Sequence, residues 1–329
     1  MGGILAPSGA AAPDVVIENP VLNSPYLKPH RHFRFGDEGI TDEIVEERRR
    51  SEYFVPIPAT RRSGKQLPLA AEWTAERIES NEFVNRVRDQ VALWRQGQYV
   101  VGTTRTTKRL LEYWTAPDRE RPLFFCQIEA LETAIFVHEV ASRHGAPWIE
   151  NQLREAAADA NPGLYRRALK MATGSGKTVV MAMLIAWQTL NKIENPQDGR
   201  FSDAFLVVAP GITIRDRLRV LLPEEPENYY DARDIVPPEL RERMSRATVH
   251  IANYHQFLPR ETITAPTLTK KFATGGDADA FKESPDDVAR RVLREIGAKR
   301  GLVVINDAAH HCYRRRVGAL STFRVRVGV

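Results

Sequence analysis

Apolar residues fall into two regimes along this chain. Before about Phe124 the pattern is broken by proline and charge; after it, short apolar runs alternate with longer segments of helical spacing. The strand-length runs are Ala168–Met171, Ala204–Pro210 (AFLVVAP), Ala247–Asn253 and Leu302–Ile305. Helical spacing predicts helices over Gln127–Glu139, Thr178–Asn191, Ile212–Leu222 and Pro285–Ile296, with a loop over 259–285. Alternating strands and helices predict an α/β domain with a doubly wound, mostly parallel sheet. Such sheets bind ligands at the C-terminal ends of their strands.

Upstream, Pro13, Pro20, Pro25, Pro29, Pro56 and Pro58 rule out long helices, and Ser51–Pro58 reads as a short extended piece. A helix is predicted over 74–96, capped by Thr74, with Ile78, Val84, Val87, Val91 and Trp94 on one stripe that suits core packing. A second short helix is predicted within Thr103–Thr115, around Leu110, Leu111 and Tyr113. The chain therefore divides into an N-terminal extension, residues 1–115, and an α/β domain, residues 116–329.

Composition changes this picture little. A net charge of +5, carried mostly by arginine, suits phosphate contact, and a solvated arginine-rich surface accounts for it equally. Arg48–Arg50 and Arg61-Arg62 read either as contacts to a DNA backbone or as a solvated arm. Cys126 and Cys312 are the two cysteines and stand far apart, which implies neither a disulfide framework nor a zinc site. His310-His311-Cys312 are adjacent, and adjacent residues rarely converge on one metal ion. No apolar run approaches the about 20 residues of a membrane span. The first six residues, MGGILA, lack the features of a secretion signal, so a cytoplasmic location is expected.

The chemistry concentrates in Met171-Ala-Thr-Gly-Ser-Gly-Lys-Thr178, which runs into the apolar segment Val179–Trp187. Glycines let the backbone wrap an anion and aim N–H groups at it, and the following helix adds the positive end of its dipole. In such a loop Thr173, Gly174, Ser175 and Gly176 cradle phosphate, Lys177 reaches the β- and γ-phosphates, and the Thr178 hydroxyl ligates Mg²⁺. Met171 stands where the strict pattern has glycine, ahead of the TGSGKT core that touches phosphate. Downstream, Gly301-Leu-Val-Val-Ile-Asn-Asp307 reads as a buried parallel strand ending in a carboxylate that holds the same Mg²⁺, directly or through water. ATP with Mg²⁺ is the expected cofactor pair.

These segments resemble the first motor lobe of superfamily 2 helicases, and most closely the ATP-dependent (Res) subunit of type III restriction enzymes and related Asp-Glu-Ala-His box proteins. The resemblance runs from about residue 15 to about residue 315. Its most specific motifs are MATGSGKT and the Asp307 box. Val208-Ala-Pro-Gly-Ile212 with Arg215 and Arg217 is similar to the family's motif Ia, and Ile251-Ala-Asn-Tyr-His255 to motif Ib. Phe125-Cys-Gln127-Ile-Glu-Ala-Leu resembles the segment whose glutamine contacts adenine. Asn19–Ser24 and His32–Phe35 also look like restriction-type members.

The resemblance implies a RecA-like P-loop NTPase fold and ATP-driven translocation on DNA. It also implies a second lobe carrying an arginine finger, a nuclease domain, and a methyltransferase partner that supplies DNA specificity. It assigns catalytic roles to Lys177 and Asp307, metal binding to Thr178 and Asp307, adenine contact to Gln127, and nucleic-acid contact to Arg215, Arg217, Asn253, Tyr254 and His255. The plain alternative for Arg215 and Arg217 is ion pairing with Asp216 or Glu224.

The chain departs from the pattern at two places. It reads Asp307-Ala308-Ala309-His310 where the family has Asp-Glu-Ala-His, so Ala308 replaces the group that orients or deprotonates the attacking water. The resemblance fades after about Arg316, and the apolar-basic tail Val317–Val329 reads as a frameshift, a premature end or a terminal strand. The expectation is thus an ATP-binding, incomplete first lobe of a type III restriction-type translocase with impaired hydrolysis. The alternatives are a non-hydrolysing nucleotide- and DNA-binding module and an inert gene remnant.

Overall fold

The computed structural model describes residues 19–36, 39–54, 78–160, 163–260, 283–297, 299 and 301–307. Thr74, the Arg61-Arg62 pair, Ala308, the His310–Cys312 run and the 317–329 tail lie outside these residues. The chain forms two compact units whose boundary in sequence falls inside a helix, between Asp89 and Gln90.

In the first unit, β1 (His32–Gly36) and β2 (Gly39–Val45) make an antiparallel hairpin with an irregularity between Phe33 and Phe35. Its flanks carry exposed ion pairs, Arg34–Glu43 at 2.6 Å and Arg31–Glu46 at 2.9 Å. Pairs this exposed contribute little to stability. Within the Arg48–Arg50 cluster, Arg49 lies 4.2 Å from the Phe35 ring centroid and pairs with Glu52. β3 (Glu52–Phe54) pairs antiparallel with β4 (Ile78–Ser80).

Helix α1 (Glu82–Gln96) begins later than the apolar stripe predicts. Ile78–Ser80 is drawn into the ladder with β3, and the side chain of Asn81 then takes the Val84 N–H, doing the work assigned to Thr74. Buried Asn85 answers both backbone groups of Ser51, which fixes β3 to the start of the helix. Val87, Val91 and Trp94 are buried, as their spacing predicts.

The second unit is built around the long helix α5 (Lys177–Glu194). Helices α2 (Arg105–Trp114) and α3 (Phe125–Ile135) pack on it, so the segment that the sequence places at the end of the extension has its buried face, Leu110, Leu111 and Trp114, here. Thr104 caps α2, its hydroxyl accepting the Thr107 N–H at 3.0 Å. After Ile135 the helix loosens into one π-turn, Phe136–Val140. Helix α4 (Pro147–Ala160) follows, burying Ile149, Leu153 and Ala157 at four-residue spacing. The apolar pattern predicts no element there, because a single four-residue stripe among alanines carries a weak periodic signal.

Two buried carboxylates two turns apart organise this helical layer. Glu132 pairs with Arg95 and accepts the Tyr99 hydroxyl at 2.5 Å. Glu139, only 1 % exposed, accepts the Thr107 hydroxyl (2.7 Å), the Thr104 N–H (2.9 Å) and the Trp187 indole N–H (2.8 Å). Asn191 of α5 donates to the Thr107 hydroxyl oxygen at 2.9 Å and closes the network. Buried charge is tolerated only with such partners.

The sheet is parallel, in the order β6 (Thr248–Asn253), β5 (Ala204–Ala209), β7 (Leu302–Asn306). Ala204 pairs with Thr248 on one side and Leu302 on the other. Central β5 is buried on both faces: Phe205, Val207 and Ala209 on one and Ala204 and Leu206 on the other, which is why it reads as an unbroken apolar run. Helix α8 (Pro285–Val292) covers the Ala204–Leu206 face with Val288 and Val292, joined by Ile296. Between β5 and β6 lie the short helices α6 (Ile212–Arg217) and α7 (Tyr229–Ala232), and 3-10 turns at Leu218–Leu221 and Pro238–Arg246. Ile212–Leu222 is thus a six-residue helix continued by a 3-10 turn. The expected strand Ala168–Met171 is not formed: Ala168 alone accounts for a bridge. Its two apolar side chains beyond Ala168, Leu169 and Met171, are only half-buried, too little to hold an extended segment in place. No helix among the described residues is long and apolar enough to cross a membrane.

Burial pushes the Glu139 carboxyl above its ordinary value, outweighing the hydrogen bonds from Thr107, Thr104 and Trp187. The folded state therefore keeps a proton that the unfolded chain has lost. Its contribution to stability is complete below the ordinary value of 4.5 and is lost as pH rises through the folded value. Chemical melts across this range are expected to show that loss in the wild type and a flatter profile in Glu139→Gln. Equal slopes in both proteins would assign the dependence to another group.

Candidate functional site

The backbone makes the phosphate loop before any side chain contributes. Gly174 (φ +80°) and Gly176 (φ +77°) occupy the left-handed region that other residues enter at a cost of about 1–2 kcal/mol. Gly176 stands as N-cap of α5 without a side-chain cap. Among the described residues, the N–H groups of Gly174, Gly176, Lys177 and Thr178 have no backbone acceptor, while Ser175 N–H turns back to the Ala172 carbonyl. Four donors are thus left open at the positive end of an 18-residue helix.

The side chains sharpen this bias. The Lys177 ammonium folds over the loop onto the Ala172 carbonyl at 3.0 Å, which also accepts the Ser175 hydroxyl at 2.6 Å. Lys177 has no ion pair among the described residues. Gly174 faces open space, with no atom within 4 Å of the position a Cβ would take. An unpaired ammonium, open N–H groups and this clearance fit a polyphosphate. Thr178 is half-buried at the first turn of α5. A hydroxyl and a carboxylate from Asp307 are a donor set suited to Mg²⁺, which keeps several of its waters.

Gln127 was expected at adenine; its amide is engaged with the loop. Its Nε2 donates to the Ser175 carbonyl at 3.0 Å, its Oε1 accepts the Phe124 N–H at 2.9 Å, and the residue is 5 % exposed. It braces the loop against the start of α3. A Cβ on Gly176 would lie 2.2 Å from that Nε2, so this glycine serves both the backbone turn and the close approach of Gln127. Residue spacing carried no signal of this contact, because the partners are 48 positions apart and one of them is a carbonyl.

Asp307 follows β7 directly, half-buried, with its N–H bonded to the Val208 carbonyl at 3.0 Å. No hydrogen bond or ion pair among the described residues links it to Lys177 or Thr178. No cluster of three or more His, Cys, Asp or Glu that could hold a metal ion occurs among the described residues.

The loops after β5 and β6 meet across a cavity of about 490 Å³, lined by Pro210, Gly211, Ile212, Thr213, Tyr254 and His255 among others. Arg215 is held to Asp216 in an exposed pair at 3.0 Å, the plain alternative for that residue. Arg217 is exposed and has no ion pair among the described residues. Asn253 is buried and turns inward, its Oδ1 accepting the His255 N–H at 3.0 Å, so it shapes the turn Tyr254–Phe257. Tyr254 and His255 project from that turn with ring centroids 5.1 Å apart.

Gly176→Ala is expected to displace the Gln127 amide and to load the left-handed position with a side chain, lowering stability by about 1–3 kcal/mol. Thermal melts of Gly176→Ala alone and in a Gln127→Ala background check this. The glycine substitution should cost less in the double variant, and equal costs would show that the two residues do not interact.

Comparison with protein-family profiles matches residues 121–324 to the type III restriction enzyme, res subunit. Comparison with curated proteins and with solved structures gives no match. The matched stretch spans the phosphate loop, both loops around the cavity and the Asp307 strand, and the parallel sheet with its flanking helices is the α/β arrangement of a partial RecA-like P-loop motor lobe. With more than half of its 329 residues matched, this chain belongs to the family of type III restriction enzyme res subunits.

Proposed function

We propose that this chain binds ATP with Mg²⁺ at the 172–178 loop, contacts a DNA strand through the loops after β5 and β6, and hydrolyses ATP slowly. The observation that carries the reading is the phosphate loop itself: a lysine ammonium without a carboxylate partner among the described residues, beside four open N–H groups at a helix N-terminus. Lys177 would hold the β- and γ-phosphates, and Thr178 and Asp307 would hold the metal. Gln127 keeps the loop in shape and borders the nucleotide. Arg217 and Tyr254, with Arg215, Asn253 and His255 around them, would face the strand. When bound, Mg²⁺ supplies charge neutralisation on the phosphate oxygens.

The slow turnover follows from Ala308. A methyl group neither orients nor deprotonates a water molecule, and loss of a positioned acid or base costs roughly 10²–10⁴-fold in rate, about 3–5 kcal/mol of barrier. Binding depends on other groups and is retained. The same substitution favours a second reading, a nucleotide- and DNA-binding module that does not turn over. DNA and a methyltransferase specificity subunit are the proposed partners, and the cytoplasm the proposed location.

Titration with a fluorescent ATP analogue and Mg²⁺ tests the binding step. The wild type is expected to bind, and Lys177→Ala to weaken binding about 10- to 100-fold, the scale of one or two charge-assisted hydrogen bonds. A folded wild type that binds no nucleotide would sink the proposal. Phosphate release with DNA present, measured with a second motor lobe joined to the chain, tests the second step: Ala308→Glu is expected to raise the rate about 10²-fold or more. An unchanged rate would leave the non-hydrolysing reading.

A further inference from the structure

A second cavity, of about 640 Å³, opens beside the far end of α5, where α2 and the 3-10 turn at Pro238–Arg246 meet it. Leu190 and Leu240 form its apolar side. Leu190 lies 13 residues beyond Lys177, about 20 Å along the helix, so this cavity is separate from the phosphate loop. Four cations line it: Arg105, Lys108 and Arg109 from α2, and Arg243 from the 3-10 turn. Positions 105, 108 and 109 share one face of α2, opposite the buried face of Thr107, Leu110, Leu111 and Trp114. Like charges at this spacing weaken a helix, so the stripe does nothing to hold α2 together.

The charges do not cancel within the cavity. Two carboxylates, Glu112 and Glu194, line it beside the four cations, which leaves an excess of two positive charges. Lys108 pairs with Glu112 at 3.7 Å, Arg243 with Glu194, and Arg109 with Glu239, which stands outside the lining. All of these side chains are exposed, and pairs this exposed are weak enough for a bound anion to displace. Arg105 is exposed and has no ion pair or hydrogen bond among the described residues, and the Thr106 hydroxyl beside it has no partner among them. A free guanidinium fork and a free hydroxyl among further cations are donors suited to phosphate oxygens. A phosphate monoester carries about 1.5 to 2 negative charges at neutral pH, which matches the excess; a carboxylate carries one. The cavity volume falls within the range of small-molecule sites, about 300–1,000 Å³.

We propose that this cavity is a second anion site, which takes a small organic phosphate: the phosphate on Arg105, Thr106 and Arg109, and the less polar body against Leu190 and Leu240. The inference goes beyond nucleotide and DNA binding and rests on neither. Thr106 adjoins Thr107, and Leu190 adjoins Asn191, so a ligand here touches the same two helices that the Glu139 network joins.

The test uses the full 329-residue chain and isothermal titration calorimetry with four probes: phenyl phosphate, inorganic phosphate, benzoate and phenol. Phenyl phosphate is expected to bind most tightly, because it alone joins a phosphate dianion to an apolar body. Arg105→Ala should weaken it roughly tenfold or more, the scale of one charge-assisted contact, and Arg105→Lys should weaken it less. Lys177→Ala should leave phenyl phosphate binding unchanged. Arg105→Ala should in turn leave the thermal melt and the titration with the fluorescent ATP analogue unchanged, which controls for folding. Phenyl phosphate binding that is lost in Lys177→Ala and untouched in Arg105→Ala would assign the anion to the phosphate loop; that result overturns the inference and leaves the nucleotide reading standing. Equal affinity for phenyl phosphate and inorganic phosphate would also overturn it, since the apolar side would then contribute nothing. A wild type that melts cooperatively and binds neither phosphate probe would overturn it outright. Binding of an acidic peptide with no response to any small probe would give the cavity to a protein partner and overturn it as well.

Discussion

The Glu139 carboxylate lies where α2 and α5 meet the π-turn after α3, and the position of the phosphate loop depends on it. Helix α5 has two incompatible tasks. Its first turn leaves backbone N–H groups open, and its body, from Val180 to Asn191, is almost wholly buried. Interdigitated apolar packing sets the helix by shape, and Trp187 and Asn191 add a directional constraint, because their polar groups meet Glu139 and Thr107 at set positions. Trp187 is ten residues beyond Lys177, about 15 Å along a rigid helix, so pinning the indole also pins the loop end. Buried polar networks of this kind add little to net stability over a well-packed apolar core, and the value of this one is positional.

Gln127 repeats the device at the other end of α3. The helix that carries Glu132 and Glu139 inward begins with Gln127 holding the Ser175 carbonyl, so one element fixes both the body of α5 and the loop before it. Two constraints therefore favour glycine at 176. The turn needs positive φ, and the space where a Cβ would sit is taken by the amide of the brace. The Gly-rich composition of the loop reflects the approach of a protein side chain as well as the positive-φ turn.

What could be read from the sequence follows from where each signal resides. AFLVVA was legible as a strand because central β5 buries both faces and leaves an apolar run; LVVIN also pairs as a parallel strand, but at the sheet edge with Val304 54 % exposed, so the buried strand expected there is only half-buried. The tight turn at Gly174 and Gly176 was legible because its positive-φ backbone is what glycine spacing encodes. The start of α1 departs from its apolar stripe because a strand pairing at Ile78–Ser80, set by distant Glu52–Phe54, competes with helical periodicity. Ala168–Met171 suggests a strand more by its position ahead of the loop than by its apolar content, and position alone does not hold a strand together. Contacts between a side chain and a distant carbonyl, such as that of Gln127 with Ser175, leave no periodic trace. Neither does the inward turn of Asn253, which motif spacing alone places beside DNA.

The sheet also explains why Asp307 and the loops after β5 and β6 sit at one end of the sheet. In a parallel sheet every strand delivers its following loop to the same edge. β5 leads to Pro210 and Ile212, β6 to Tyr254 and β7 to Asp307. The ladder between β5 and β7 runs unbroken from Ala204–Leu302 to Val208–Asn306 and is extended by the Asp307 N–H on the Val208 carbonyl. Only Ala209 separates that carbonyl from the cavity wall at Pro210. A displacement of Asp307 along the strand axis would strain this bond and the ladder behind it, so the acid and the cavity wall are held as one rigid edge.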